Sequence, residues 1–255
     1  MTCAGCGART TVERASYCAR CLLRAVELHG DAPVLSAADE SPPCELLSIM
    51  GETARAVTFL GEQTWPVRRL VALKLFRDDA CHQLTTAPAH LAVPRHPNIA
   101  AVLESGRLAG RPYLVTQYLG GGSLARCCDQ HRLGIEPRMT ALLAVTGALA
   151  FAHAHGAVHG RLTSSNVLCE PRSPFLVQIM DFDCNGRKVS GDVRPDVLAR
   201  ADLDAVITLA DSLLRPVAPK AFDLAGTLDR LRQKASSTED LRTAFENLRA
   251  RIPPA

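Results

Sequence analysis

The sequence predicts an α+β protein with a strand-rich first half and a helical second half, preceded by a small cysteine-bearing module. Three observations carry this. Short β-type runs separated by turn residues fill positions 45–117, a helical period takes over from Pro137, and four of the ten cysteines sit in the first 21 residues. Strands first and helices afterwards describe an α+β arrangement with two lobes, not alternating βαβ units.

The first module is read from Cys3-x2-Cys6 and Cys18-x2-Cys21, separated by eleven residues. Paired knuckles of this kind point to a tetrahedral zinc site, with a redox pair or chance spacing as the alternatives. A segment this small buries too little apolar surface to fold alone, so four thiolates on zinc would supply the missing free energy. With every position taken by protein, that zinc would be structural. A helix over Leu22 to His29 is expected to pack on the knuckles. The module is placed at residues 1–30 and a linker, broken by Pro33, Pro42 and Pro43, at 31–43.

A second domain is placed at 44–252. Its β-type runs are Glu45 to Met50, Ala56 to Leu60, Leu70 to Phe76, Ala100 to Ser105 and Pro112 to Gln117, predicted to form a five-stranded meander with one helix around Cys81 to Val93. From Pro137, Leu142, Val145, Leu149 and Ala152 recur at spacings of 3, 4 and 3, the period of a helix with one apolar face. After Leu214 two more helices fit, one over Phe222 to Lys234 and one opened by the capping sequence Ser236-Ser237-Thr238-Glu239.

Composition narrows the function classes. At 255 residues and 47% apolar content the chain is an ordinary globular protein, and its 29 basic and 26 acidic residues are interspersed, giving a net charge of +3. No Lys/Arg run marks a nucleic-acid or membrane patch, so neither partner is expected. Cys3 and Cys6 stand where an export signal would need a basic start and an apolar run. The longest apolar stretch, around Thr140 to Ala152, is read as too short to span a bilayer and as a buried helix. A cytoplasmic location with reduced or metal-bound thiols is the expectation.

Several motifs then appear in a fixed order: Val71-Ala72-Leu73-Lys74, His96-Pro97-Asn98-Ile99, Tyr113 to Leu119 followed by Gly-Gly-Gly-Ser-Leu, His159-Gly160-Arg161-Leu162-Thr163-Ser164-Ser165-Asn166, and Asp181-Phe182-Asp183. In that order they resemble the protein kinase family, and the cysteine knuckles resemble the N-terminal zinc ribbon of some bacterial Ser/Thr kinases. The resemblance implies a two-lobed kinase-like fold with a β-rich N-lobe and a truncated helical C-lobe. It implies that Lys74 holds nucleotide phosphates, that Asn166 and Asp181 hold magnesium, and that Val57, Ala72 and Leu168 sandwich an adenine ring. For these three aliphatic residues a plain core role is the alternative. His159 is expected to pack on Phe182 rather than to bind metal.

The departures from the family are equally informative. Arg161 occupies the position of the catalytic Asp, and a guanidinium has no lone pair with which to take a substrate proton. Thr163 replaces the loop lysine, and Gly51-Glu52-Thr53-Ala54-Arg55-Ala56-Val57 keeps one glycine of the phosphate-covering loop. No Asp or Glu lies between Ala80 and Leu103 to pair with Lys74, which is expected to turn to Asp181, to a phosphate or to water. Asp183 stands in place of a glycine, and Arg161 is expected to bond Asp181 or Asp183. Asp202, which aligns with the buried Asp of the family's central helix, lies only 21 positions after Asp181. These losses together imply a pseudokinase with a binding or regulatory role towards a protein partner, structural zinc and residual Mg-ATP binding. The alternatives are a non-standard ATP-dependent phosphoryl or nucleotidyl transferase and a zinc-ribbon adaptor.

Overall fold

Val71, Leu73 and Leu75 alternate with Leu70, Ala72 and Lys74, and a period of two sends the first set to one side of a strand and the second to the other. A computed structural model of the chain realises this pattern; it describes residues 42–77, 95–108, 110–170, 176–182, 195–220 and 222–252. The cysteine knuckles, nearly all of the linker, the helix read over Cys81 to Val93 and Asp183 lie outside the described residues. The described residues divide into two compact units, one formed by those up to 77 with 101–118, the other by 95–100 and those from 119 onward.

The first unit is a five-stranded antiparallel sheet of β1 (Glu45–Glu52), β2 (Ala56–Gln63), β3 (Arg69–Phe76), β4 (Val102–Leu108) and β5 (Arg111–Gln117). The strands are those predicted, but the order is β1-β2-β3-β5-β4, which corrects the meander. β3 pairs with β5, and among the described residues β4 is held at the edge by β5. A tight hairpin fixes its two strands as neighbours, whereas residues 77–101 separate β3 from β4 and leave the pairing to tertiary packing. Leu46, Val57, Phe59, Val71, Leu73, Leu75, Tyr113 and Val115 form the core of this unit. Each such aliphatic side chain contributes roughly 1.5–3 kcal/mol by leaving water.

The second unit is built on α1 (Leu124–Gln130), α2 (Ile135–Ala154), the hairpin β6 (Val167–Glu170) and β7 (Leu176–Ile179), α3 (Pro195–Leu214), α4 (Leu224–Lys234) and α5 (Thr238–Arg251). All four residues of the predicted apolar face of α2, Leu142, Val145, Leu149 and Ala152, are fully buried. They pack in one cluster with Ile207, Leu213, Leu241 and Phe245. At 20 residues α2 is long and apolar enough to cross a membrane, so the reading of this stretch as too short is corrected; its burial against α3, α5 and β7 makes it the core helix of this unit. Arg138 on α2 is almost fully buried, and its guanidinium donates to the carbonyls of Leu133, Cys128 and Leu213 at 2.8, 3.2 and 3.0 Å. One buried cation thereby satisfies carbonyls at the C-terminal ends of α1 and α3.

The capping site of α5 lies one residue further on than Ser236. Ser237 is the N-cap, its hydroxyl accepting from Asp240 N, and the Asp240 carboxylate accepts from the main-chain N–H groups of Ser236 and Ser237. Asp240, at the third helical position after Ser237, completes the reciprocal box that Glu239 was expected to make.

Candidate functional site

Residues 159–166 and 180–182 are loop segments of the second unit held by hydrogen bonds to one another and to α3. The hairpin sets their register: Val167 opposes Ile179, and Met180 N donates to Asn166 O at 2.8 Å, so the two loops leave the hairpin side by side. Asn166, closing a short 3-10 turn over Ser164–Asn166, is thus a neighbour of the strand end that carries Asp181.

The carboxylate of Asp202, on α3 and fully buried, fixes the first loop. It accepts from His159 N at 2.8 Å, Gly160 N at 2.7 Å and His153 Nε2 at 2.9 Å. Two successive main-chain N–H groups converge on one carboxylate because Gly160 takes φ +68°, a conformation that a side chain disfavours. The charge is therefore buried with three donors, as desolvation requires. His153 passes the network on through Nδ1 to the hydroxyl of Thr238 at the start of α5, 3.3 Å away.

His159 joins the two loops. It is nearly fully buried, its ring centroid lies 5.0 Å from that of Phe182, and its Nε2 is 2.9 Å from Met180 O. Arg161 N donates to Nδ1 at 3.3 Å, which leaves the proton on Nε2 for the Met180 carbonyl. Burial lowers the imidazole's affinity for a second proton, outweighing the opposing pull of the Met180 carbonyl and the Asp202 and Asp181 carboxylates. The expected packing of His159 on Phe182 is what the structure shows.

Asp181 follows β7 in the left-handed region, φ +63°, which Asp tolerates better than most side chains. Its half-buried carboxylate and the amide oxygen of half-buried Asn166 are hard donors of the kind magnesium takes. Among the described residues the side chain of Asn166 is tethered by long bonds, Nδ2 to Arg161 O at 3.4 Å and Oδ1 from Ser165 Oγ at 3.5 Å. Among the described residues no three His, Cys, Asp or Glu side chains gather into a metal cage. Two donors suit a magnesium ion that completes its shell with phosphate and water.

Arg161 is exposed, and among the described residues its guanidinium has no carboxylate partner; its bonds run through the main chain. The expected bond to Asp181 is thus not made, and Asp183 lies outside the described residues. The hydroxyl of Thr163 is 2.7 Å from that of Ser165, a contact within the loop.

In the first unit, Lys74 opposes Thr58 on β2 and Leu114 on β5, and its Nζ sits 5.6 Å from the ring centroid of Phe76, two residues along the same face. Ala72 shares that face, with 9% exposure. Val57 does not. It opposes Leu75, points with Leu73 and Val71 into the core and is fully buried. Its expected partnership with Ala72 at an adenine ring is therefore corrected, because a displacement of one residue along a strand turns a side chain to the other face. Thr58, directly opposite Lys74, lies on the face of Ala72, beside Leu60, which opposes Ala72 itself. Pairing β2 against β3 by period, outward from Lys74, would have found it. Leu168 is half-buried on β6 opposite Gln178, in the second unit.

The model of the protein tyrosine and serine/threonine kinase family matches residues 44–192. Among curated relatives, a probable serine/threonine-protein kinase, PknB, of Lactococcus lactis is 27% identical over 54% of this chain and 23% of its own length. The DNA damage-responsive serine/threonine-protein kinase RqkA of Deinococcus radiodurans is 33% identical over 54% of this chain and 21% of its own length. The chain therefore spans less than a quarter of either relative. The kinase domain of Mycobacterium tuberculosis PknI has the same fold, with a TM-score of 0.62 at 20% identity, covering 84% of this chain and 99% of that one. A crystal structure of Rad53 with AMP-PNP follows at 0.54 and 16% identity, over 78% of this chain and 58% of that one. With a β-sheet unit followed by a helical unit and a family match across most of both, the chain belongs to the protein tyrosine and serine/threonine kinase family.

Proposed function

We propose that this chain is a pseudokinase: a kinase-fold protein that binds nucleotide or a protein partner in bacterial signalling and no longer transfers phosphate. The observation that carries the reading is Arg161, an exposed guanidinium on an otherwise intact catalytic-loop frame. Positioning and charge stabilisation supply nearly all of phosphoryl-transfer catalysis. The proton acceptor is replaced by Arg161, the loop cation by Thr163, and residues 80–103, where the family places an acidic residue, contain no Asp or Glu.

Residual nucleotide binding would rest on Lys74 for the phosphates, Asn166 and Asp181 for magnesium, and Ala72 and Leu168 for the base. Cys3, Cys6, Cys18 and Cys21 would hold one structural zinc, and a protein partner would read the domain in the cytoplasm. The deciding experiment incubates the purified chain with magnesium and γ-labelled ATP, alone and with generic protein substrates. No label should appear on protein; robust transfer that disappears in Asp181→Ala would overturn the reading.

A further inference from the structure

We propose that Thr53 and Arg77 latch the β1–β2 turn shut against phosphate, so that a nucleotide bound by this chain receives no donor from the main-chain N–H groups of Thr53, Arg55 and Ala56. The proposal rests on the nucleotide-binding reading and specifies which part of the ligand is recognised. Family-type phosphate covers work because main-chain N–H groups point at the ligand with no side chains in the way. Here the donors of Thr53, Arg55 and Ala56 are already used. Thr53 Oγ1 accepts from Arg55 N at 3.3 Å and Ala56 N at 3.1 Å, while its own hydroxyl donates to Ala56 O at 3.1 Å. Thr53 N also donates to Ala56 O at 2.9 Å, closing a tight hairpin turn.

Arg77, just past β3, clamps this turn. Its main-chain N–H donates to Arg55 O at 2.8 Å, its Nε donates to Thr53 O at 3.3 Å, and its guanidinium pairs with Glu52. A phosphate entering the turn would have to replace the Thr53 oxygen on two donors and would meet the Glu52 carboxylate beside it. Exchanging one acceptor for another brings little net gain, and the Arg77 guanidinium is already taken by the Glu52 carboxylate. Discrimination among nucleotides would then fall on the base and the metal-bridged phosphates, with the turn indifferent to phosphate number.

The test uses isotope-labelled full chain and adenosine, ADP and ATP with magnesium. The Arg55 and Ala56 amides should exchange with solvent about fivefold or more slower than in Thr53→Ala, as one extra hydrogen bond each implies. Arg77→Ala should speed the same two amides without altering their Thr53 acceptor. In the wild-type chain saturating ATP should shift other resonances and leave these two in place, whereas Thr53→Gly should favour ATP over adenosine by about threefold more than wild type. Fast exchange in the wild type, or Arg55 and Ala56 resonances that move with ATP, would overturn the latch. If no resonance moves with any of the three ligands, the nucleotide reading fails, and the exchange rates alone then uphold or sink the closed turn.

Discussion

The main-chain N–H of His159 donates to the buried carboxylate of Asp202 at 2.8 Å, across 43 residues of sequence. Gly160 N adds a second bond at 2.7 Å, so α3 holds the loop that bears Arg161. The frame of a catalytic loop is thereby kept while the residue it would present has changed.

That frame should be expensive to break. Asp202→Ala strands two main-chain donors and one imidazole N–H and should cost about 3–5 kcal/mol of stability. Urea unfolding checks this, read as a fall in midpoint at unchanged slope. A loss below about 1 kcal/mol would mean the network is not formed in solution.

His159 predicts a pH dependence. Its folded-state pKa is lowered, chiefly by burial, so below the unfolded value of roughly 6.5 the unfolded chain takes up a proton that the folded chain refuses. Stability contributed by the neutral ring is complete above that value and falls as pH drops towards the depressed folded value. Half-buried His96, also lowered by burial, adds in the same direction. Melting temperature between pH 7.5 and 5 should decline, and His159→Phe should flatten the slope in part, leaving the share due to His96.

Restoring a carboxylate should not restore catalysis. Arg161→Asp returns a proton acceptor worth roughly 10²- to 10⁴-fold in general base catalysis. Thr163 still provides no cation for the phosphoryl group, and residues 80–103 still contain no Asp or Glu. A labelled-ATP assay on this variant should stay at background; turnover from the single change would show the base to be the one missing part.

Mg-ATP should raise the melting temperature if the nucleotide site persists, since a ligand of the folded state stabilises by mass action, about 2.7 kcal/mol at a hundred times its Kd. Lys74→Ala and Asp181→Ala should each remove the shift, the first by losing a phosphate contact and the second the metal. Persistence of the shift in both variants would place the ligand elsewhere.

Metal analysis of freshly purified protein should give about one zinc per chain, as four thiolates require. Protease should attack the first 30 residues faster after chelation. Metal-free protein with that segment still protected would remove the zinc module.

The sequence by itself determined the strands of the first unit, the apolar face of α2 and the motif order from Val71 to Phe182. These are local properties: alternation at period two, recurrence near 3.6 and short runs of fixed residue types survive without knowledge of neighbours. It also showed an Arg at position 161, a side chain with no lone pair to accept a proton, inside a motif that resembles a kinase catalytic loop. Only the tertiary structure decided that β5 lies between β3 and β4, because residues 77–101 allow either neighbour and packing chooses. It moved Val57 into the core and brought Thr58 opposite Lys74, since the face a strand residue takes depends on register with its partner and a single step reverses it. It left Arg161 without a carboxylate partner among the described residues, and it turned Thr53 and Arg77 into a closed turn. Hydrogen-bond partners like these are set by where separate strands and loops end, and no local pattern in the chain records that.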